Sequence, residues 1–95
     1  MVKLIWSPES IKDLEHIYEY IAQDSEYYAK LFMAKVIETI EKIPDFPKSG
    51  RIVPEYETEG IRERIYKGYR IVYRLKKESI EIVTVVQGAK LLPDI

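Results

Sequence analysis

Three runs rich in β-branched and aromatic residues follow one another in residues 61–87, which read IRERIYKGYRIVYRLKKESIEIVTVVQ. The runs cover residues 61–66, 69–76 and 80–87, and only two or three residues connect each run to the next. Such composition is typical of strands, and connections this short join antiparallel neighbours. The stretch therefore predicts a meander of three antiparallel strands.

Two amphipathic segments before the meander predict an antiparallel helical hairpin. Ser7 is suited to cap a helix that begins at Pro8, and apolar residues follow at helical spacing as far as Ala22. A second apolar stripe at helical spacing runs through residues 29–43. The prolines and the glycine of residues 44–50 end this second helix.

A short apolar run at residues 2–6 precedes the helices, so the predicted order of elements is β-α-α-β-β-β. Helices gathered before a strand meander are typical of an α+β two-layer fold, with the helical hairpin packed on one face of a mainly antiparallel sheet. Residues 51–60 are expected to form a loop with one short extended piece around Ile52 and Val53. A chain of 95 residues has room for one core, so we expect a single domain over residues 1–95.

The composition is that of an ordinary globular domain, with 46% hydrophobic and 33% charged residues and no cysteine. The apolar run at the N-terminus is shorter than a signal peptide's hydrophobic region or a membrane span, so we expect a cytoplasmic protein without a membrane partner. The sequence contains no metal-ligand spacing and no phosphate-loop or dinucleotide motif, so no metal and no other cofactor is expected. The single histidine, His16, falls on the polar side of the first helix and is expected at the surface.

Charge is distributed unevenly along the chain, although the net charge is only −1. Residues 7–45 contain nine acidic residues and four lysines, whereas residues 61–77 contain four arginines, three lysines and one glutamate. A basic segment of this kind points to an anionic partner. The alternative is that the two halves of the chain neutralise each other within the fold.

The faces of the first hairpin of the meander depend on the register of its two strands. A two-residue turn at Lys67 and Gly68 would mix apolar and charged residues on each face. If Tyr66 instead pairs with Arg70, the apolar residues share one face and the arginines share the other. Because a one-residue slip moves every side chain across the sheet, we expect this segregated register, with Tyr69 added to the loop. The basic face would then contain Arg62, Arg64, Tyr66, Arg70 and Arg74.

Four arginines on one sheet face are unfavourable for stability, because like charges on adjacent strands repel each other. We therefore expect this face to bind an acidic peptide or phosphate groups. The alternative is a solvated face on which the arginines pair locally with neighbouring glutamates. The glutamates available for such pairs are Glu55, Glu57, Glu59 and Glu63.

Several motifs occur in a fixed order along nearly the whole chain. An apolar strand ends in Trp-Ser-Pro at residues 6–8, and Tyr-Ile-Ala follows on the first helix at residues 20–22. The turn Phe-Pro-Lys-Ser-Gly-Arg at residues 46–51 and the strand Tyr-Arg-Ile-Val-Tyr-Arg at residues 69–74 come next. In this combination the chain resembles the RelE/ParE toxin superfamily of type II toxin–antitoxin systems, which includes plasmid-stabilisation proteins. The resemblance implies a growth-inhibiting toxin that is held inactive by an antitoxin wrapping an extended segment around it.

The superfamily divides by cellular target, and the resemblance leaves both branches open. ParE-like members bind and poison DNA gyrase, whereas RelE-like members are metal-independent, ribosome-dependent ribonucleases that cut mRNA at the A site. Arg70 matches the superfamily's strand arginine and is the candidate catalytic residue of a nuclease, with Lys67 and Arg64 adding phosphate contacts. Gln87 stands where many nuclease relatives have histidine, and glutamine is neither an acid nor a base near neutral pH.

Target binding without catalysis is therefore the favoured interpretation. The alternatives are ribosome-dependent mRNA cleavage and a degenerate, non-toxic binding module, and a shared fold does not choose among the three. The expected partners are a cognate antitoxin and either DNA gyrase or the ribosome with its mRNA. The expected target- or antitoxin-binding residues are Arg62, Arg64, Lys67, Arg70, Arg74 and Lys90.

Overall fold

The computed structural model describes residues 2–90 and residue 92. The predicted α+β order is confirmed, and the short extended piece expected near Ile52 forms an additional strand. For the tail at residues 88–95 the sequence, with Pro93, predicts coil; residues 88 and 89 form a turn, and residues 91 and 93–95 lie outside the described residues. The elements are β1 (Lys3–Trp6), α1 (Pro8–Ala22), α2 (Glu26–Glu41), a 3₁₀ turn (Ile43–Asp45), β2 (Arg51–Ile52), β3 (Ile61–Tyr66), β4 (Tyr69–Leu75) and β5 (Ser79–Gln87).

The strands form one mixed sheet in the order β1-β5-β4-β3-β2. β1 pairs in parallel with β5, and β2 pairs antiparallel with β3. The β3–β4 and β4–β5 pairs are antiparallel, as the short connections of the meander predicted. The first strand and the last long strand of the chain therefore lie side by side at one edge of the sheet.

Polar side chains attach helix α1 to the edge of the sheet. The Ser7 hydroxyl accepts from the Ser10 amide at 3.0 Å, as an N-cap does, and donates to the Val83 carbonyl at 2.8 Å. One turn further on, the Asp13 carboxylate accepts from the Val85 amide at 3.0 Å and from the hydroxyl of Thr84. These bonds satisfy backbone groups of β5 beyond the end of β1.

Among the described residues, no helix is long and apolar enough to cross a membrane.

The core lies between the helical hairpin and one face of the sheet. Phe32 of α2 packs edge-on against Tyr66 and Tyr69, with ring centroids 5.6 and 5.5 Å apart. The buried side chains of the core are Leu14, Ile17, Phe32, Val36, Ile40, Ile43, Ile71, Tyr73, Ile80, Ile82 and Val85.

The β3–β4 hairpin has the register that mixes its faces, so the predicted segregated register is wrong. Ile65 pairs with Arg70, which leaves Lys67 and Gly68 as a two-residue turn. Both turn residues have positive φ, 46° for Lys67 and 85° for Gly68, as a type I′ turn requires. Because the twist of this turn matches the twist of the strands, turn geometry decides the register here over the hydrophobic pattern.

The single basic face expected from the sequence is consequently absent. Residues that pair directly share a face, and Arg62 pairs with Tyr73, whose ring lies in the core. Arg62 and Arg64 therefore lie on the helix side of the sheet, whereas Arg70 and Arg74 lie on the opposite side. The four arginines are divided two and two between the faces.

Candidate functional site

A buried ion-pair network lies on the sheet face turned away from the helices, with Glu63 at its centre. The Glu63 side chain is fully buried in the middle of β3. One of its carboxylate oxygens accepts from Arg70 Nε at 2.6 Å, and the other accepts from Arg51 Nε at 2.6 Å. A buried carboxylate is tolerated when it is paired and hydrogen-bonded in this way.

Arg70, the candidate catalytic residue, is enclosed by the same network. Its Nη1 and Nη2 donate to the two carboxylate oxygens of Glu55, each at 2.6 Å, in a bidentate pair. Nη1 also lies 3.4 Å from the backbone oxygen of Lys90. Together with the bond to Glu63, every nitrogen of this buried guanidinium has an acceptor within the chain.

The electrostatics of the pair follow from these bonds. Hydrogen bonds from Arg70 lower the pKa of Glu55 to about 2, against the opposing effect of desolvation. The pKa of Arg70 is raised, first by its bonds to Glu55 and then by those to Glu63. Glu55 and Arg70 therefore remain charged at neutral pH, and the anions that Arg70 binds are two glutamates of its own chain.

Arg62 and Arg64 hold the loop between the 3₁₀ turn and β2. Arg62 Nη1 donates to the backbone oxygens of Gly50 at 3.0 Å and Lys48 at 3.3 Å. Arg64 Nη1 donates to the Ser49 hydroxyl at 3.0 Å. The Arg62 side chain is largely buried, so it is a structural cation whose partners are mainly carbonyl groups.

Tyr73 supports the same loop from within the core. Its hydroxyl donates to the Pro47 carbonyl at 2.7 Å and accepts from the Gly50 amide at 3.1 Å. Burial raises the pKa of Tyr73, so the hydroxyl stays protonated and able to donate. A Cβ atom added at Gly50 would meet the Tyr73 hydroxyl and would lie 2.7 Å from the Glu63 carbonyl oxygen. The close approach of loop and sheet therefore requires glycine at this position.

Arg74 pairs with Glu81, which is not among the four glutamates expected as local partners. Its Nη1 lies 2.9 Å from Glu81 Oε1, and Lys76 Nζ lies 3.4 Å from the same oxygen. Glu81 is the direct neighbour of Arg74 on β5, so a β4–β5 register would have identified it. Of the glutamates proposed as local partners, Glu55 and Glu63 form close pairs, and Glu59 lies 3.9 Å from Arg62.

The predicted site lysines are exposed. Lys67 lies in the β3–β4 turn and Lys90 in the turn after β5. No salt bridge joins either lysine to a carboxylate within the part of the chain that the structure describes.

A cleft of about 250 Å³ opens between α1 and the end of β5. His16 is exposed, as predicted, and lines this cleft together with Lys90 and Gln87. Sequence spacing gave no signal for this grouping, because the residues come from separate elements. Across residues 2–90 and 92, no group of three or more His, Cys, Asp or Glu residues is placed to hold a metal ion. The other residues of the cleft are Asp13, Ile17, Tyr20, Tyr69, Val85 and Val86.

Comparison with known families decides the identity of the fold. Residues 4–92 match the family described as the ParE toxin of the type II toxin–antitoxin system, parDE. The chain belongs to the ParE toxin family. The RelE/ParE superfamily placement inferred from the ordered motifs is thereby confirmed. A comparison of this ParE-family chain with curated proteins gives no match.

Solved structures share the fold of this ParE-family chain. A chain of the chromosomal ParDE toxin–antitoxin system from P. aeruginosa is similar with a TM-score of 0.77 and 21% identity, covering 92% of this chain and 96% of that chain. The YoeB/ParE toxin from Agrobacterium tumefaciens is similar with a TM-score of 0.63 and 20% identity, covering 90% of this chain and 98% of that chain. A chain of the YoeB–YefM complex from Staphylococcus aureus is similar with a TM-score of 0.57 and 21% identity, covering 90% of this chain and 95% of that chain. At these identities the likeness establishes the fold.

Proposed function

We propose that this ParE-family chain is a growth-inhibiting toxin that acts by binding its target, DNA gyrase, without catalysing RNA cleavage. A cognate antitoxin would neutralise it. Membership of a family defined by paired toxins and antitoxins supports the antitoxin partner, as does the fold shared with a chain of the YoeB–YefM complex. Because gyrase and ribosomes are cytoplasmic, the proposed site of action is the cytoplasm.

The observation that carries the proposal is the engagement of Arg70 by two glutamates. Cleavage of RNA through its 2′-hydroxyl needs cations that stabilise the charge developing on the phosphate and groups that move protons. Glu55 and Glu63 occupy all the guanidinium nitrogens of Arg70 at 2.6 Å. A phosphate would have to displace a bidentate carboxylate to reach this cation. This arrangement favours a structural role for Arg70 over a catalytic one.

The predicted binding residues divide into two groups under this proposal. Lys67, Lys90 and Arg64 have cationic groups without a carboxylate partner among the described residues, and we assign partner contacts to them. Arg62, Arg70 and Arg74 act by positioning, since each is engaged by acceptors of its own chain.

Ribosome-dependent mRNA cleavage is the second candidate function, and one observation favours it. The cleft between α1 and β5 brings His16, Lys90 and Tyr69 together, and imidazole, amine and phenol groups all transfer protons. A degenerate, non-toxic binding module is the third candidate, because the strand arginine that a nuclease would use, Arg70, is already engaged by Glu55 and Glu63.

Two assays with the purified chain separate these functions. We expect inhibited supercoiling or trapped cleavage complexes when the chain is added to DNA gyrase, and intact mRNA when it is added to translating ribosomes. Addition of the antitoxin should abolish the gyrase effect and is the control for specificity. Cuts at the A site with unaffected gyrase would overturn the proposal in favour of the nuclease. Absence of both effects, with normal growth on expression, would overturn it in favour of the binding module.

A further inference from the structure

The loop at residues 46–50, here called the Phe46 loop, displays an aromatic side chain to solvent. Phe46 is 68% exposed, whereas the second phenylalanine of the chain, Phe32, is buried in the core. Exposing a ring of this size leaves the free energy of its burial unrealised in the isolated chain. Single exposed apolar residues are common on protein surfaces, so exposure alone does not identify a binding residue.

Hydrogen bonds from the core and from β3 hold the Phe46 loop in place. The Phe46 carbonyl accepts from the Ser49 amide at 2.9 Å, and the Phe46 amide donates to the Ile43 carbonyl at 3.0 Å. Below these turns, the buried Tyr73 hydroxyl donates to the carbonyl of the second loop residue and accepts from the amide of the last. Two arginines of β3 donate to the third, fourth and fifth loop residues. The fold therefore uses a core tyrosine, two strand arginines and an obligatory glycine to fix five residues.

Fixing a loop in advance lowers the entropy that a partner must overcome on binding. Ordering of side chains and loops is among the main costs of association, and a rigid aromatic residue contributes area with few rotamers to lose. Aromatic residues are also enriched at the centre of protein interfaces. A preorganised loop that carries an exposed phenylalanine has the properties of an interface anchor.

The surroundings of the Phe46 loop indicate the chemistry of the partner. Ile52 on the neighbouring β2 is exposed and adds apolar surface. The exposed Lys48 follows Phe46 closely in the loop, and Arg64 joins the loop at Ser49. Arg51 starts β2 directly after the loop, but its side chain lies on the opposite face of the sheet, where it bonds to Glu63. Apolar groups bordered by positive charges are complementary to an apolar pocket bordered by carboxylates.

Nucleic acid fits this surface less well than protein does. Neutralising several phosphates takes several unpaired cations. Arg62 is used by carbonyl groups of the loop and Arg51 by Glu63, and Asp45 precedes Phe46 directly. The remaining cations at the loop are Lys48 and Arg64, which is enough to orient an acidic protein surface.

We propose that the Phe46 loop is the anchor by which this chain holds its protein target, with Phe46 entering an apolar pocket whose rim is acidic. This inference rests on the proposed function, since it assigns a surface to target binding. It places target contact at the β2 edge of the sheet, away from the buried Arg70 network.

The test compares two loop variants with an exposed aromatic control. Phe46→Ala removes the anchor, Lys48→Glu reverses the charge beside it, and Tyr27→Ala removes a ring on α2 that is 76% exposed. Purified DNA gyrase, the cognate antitoxin and a single-stranded RNA oligonucleotide are the three probes, and growth inhibition is measured at matched expression. Thermal melting confirms that each variant is folded.

We expect each loop variant to lose at least about tenfold in gyrase affinity and in growth inhibition, in the range of interface anchors. Its melting temperature and antitoxin affinity should stay at the wild-type values, and Tyr27→Ala should match the wild type throughout. A fully toxic Phe46→Ala variant would overturn this inference alone. Loss of antitoxin or RNA binding instead of gyrase binding would also overturn it. A wild-type chain that neither binds gyrase nor inhibits growth would overturn the proposed function and this inference with it.

Discussion

Glu63→Gln is the substitution that most directly perturbs the buried network. The side chain is fully buried and joins Arg70 to Arg51 through two bonds of 2.6 Å. The glutamine amide has nearly the same shape but lacks the charge, and its NH₂ group cannot accept a hydrogen bond. At least one of the two arginine bonds is therefore lost, because the NH₂ group of the glutamine would face the N–H donor of an arginine.

The cost can be estimated from the burial of each partner. Removing one member of a buried ion pair typically costs 3–5 kcal/mol. Arg51 is 61% exposed, so its share is that of a surface pair, about 0–1 kcal/mol. Arg70 is buried but retains its bidentate bonds to Glu55, which favours the lower end of the range. We expect a loss of about 3 kcal/mol, which lowers the melting temperature of a domain this size by roughly 12–24 °C.

Urea and thermal unfolding of the purified chain, followed by circular dichroism, measure this loss. Glu59→Gln is the matched control, because Glu59 is 75% exposed and lies 3.9 Å from Arg62. The control should change the free energy of unfolding by less than about 0.5 kcal/mol. A Glu63→Gln variant as stable as the control would show that the Glu63 carboxylate has no structural role.

Three further substitutions test other parts of the structure. Gly50→Ala should destabilise the chain by about 1–3 kcal/mol, because its Cβ would lie 2.7 Å from the Glu63 carbonyl oxygen. Gly60→Ala is the control and should cost less than about 1 kcal/mol, because the nearest atom to its Cβ would be 3.9 Å away. Equal unfolding midpoints for the two variants would contradict this. Tyr73→Phe should cost about 2 kcal/mol, since two hydrogen bonds are lost and the Gly50 amide is left buried without its acceptor; an unchanged urea midpoint would count against the loop anchor. The lowered pKa of Glu55 adds stability that is present above pH 4.5, the ordinary pKa of the group, and is lost as the pH falls towards about 2. The wild type should therefore lose more stability than Glu55→Gln between these two pH values. Parallel acid-induced unfolding curves for the two proteins would exclude this contribution.

The order of elements could be predicted from the sequence because its signals are local. Ser7 and Pro8 mark the start of α1, and the structure has the Ser7 cap. The strand meander follows from composition and short connections, and all three strands occur. Each of these features depends on residues a few positions apart, which is where propensities and capping rules apply.

The register and the ion-pair network could not be predicted in the same way. The type I′ turn places a lysine at positive φ, a conformation that favours Asn, Asp or Gly, so Lys67 gave no signal for a two-residue turn. Glu63 was only one of several local pairing alternatives. Its burial depends on Arg51 from β2 and Arg70 from β4. Glu55, in the loop between β2 and β3, pairs with the remaining nitrogens of Arg70. Such a site is assembled by tertiary structure rather than by spacing.

Under the proposed function, Arg70 stabilises the fold and does not act on RNA. Mapping the 3′ ends of mRNA on translating ribosomes tests it most directly, with the purified chain supplied at concentrations that inhibit DNA gyrase. We expect no cuts at the A site. Cuts at the A site that disappear in a folded Arg70→Lys variant would contradict it, because Arg70 would then be acting on the RNA itself.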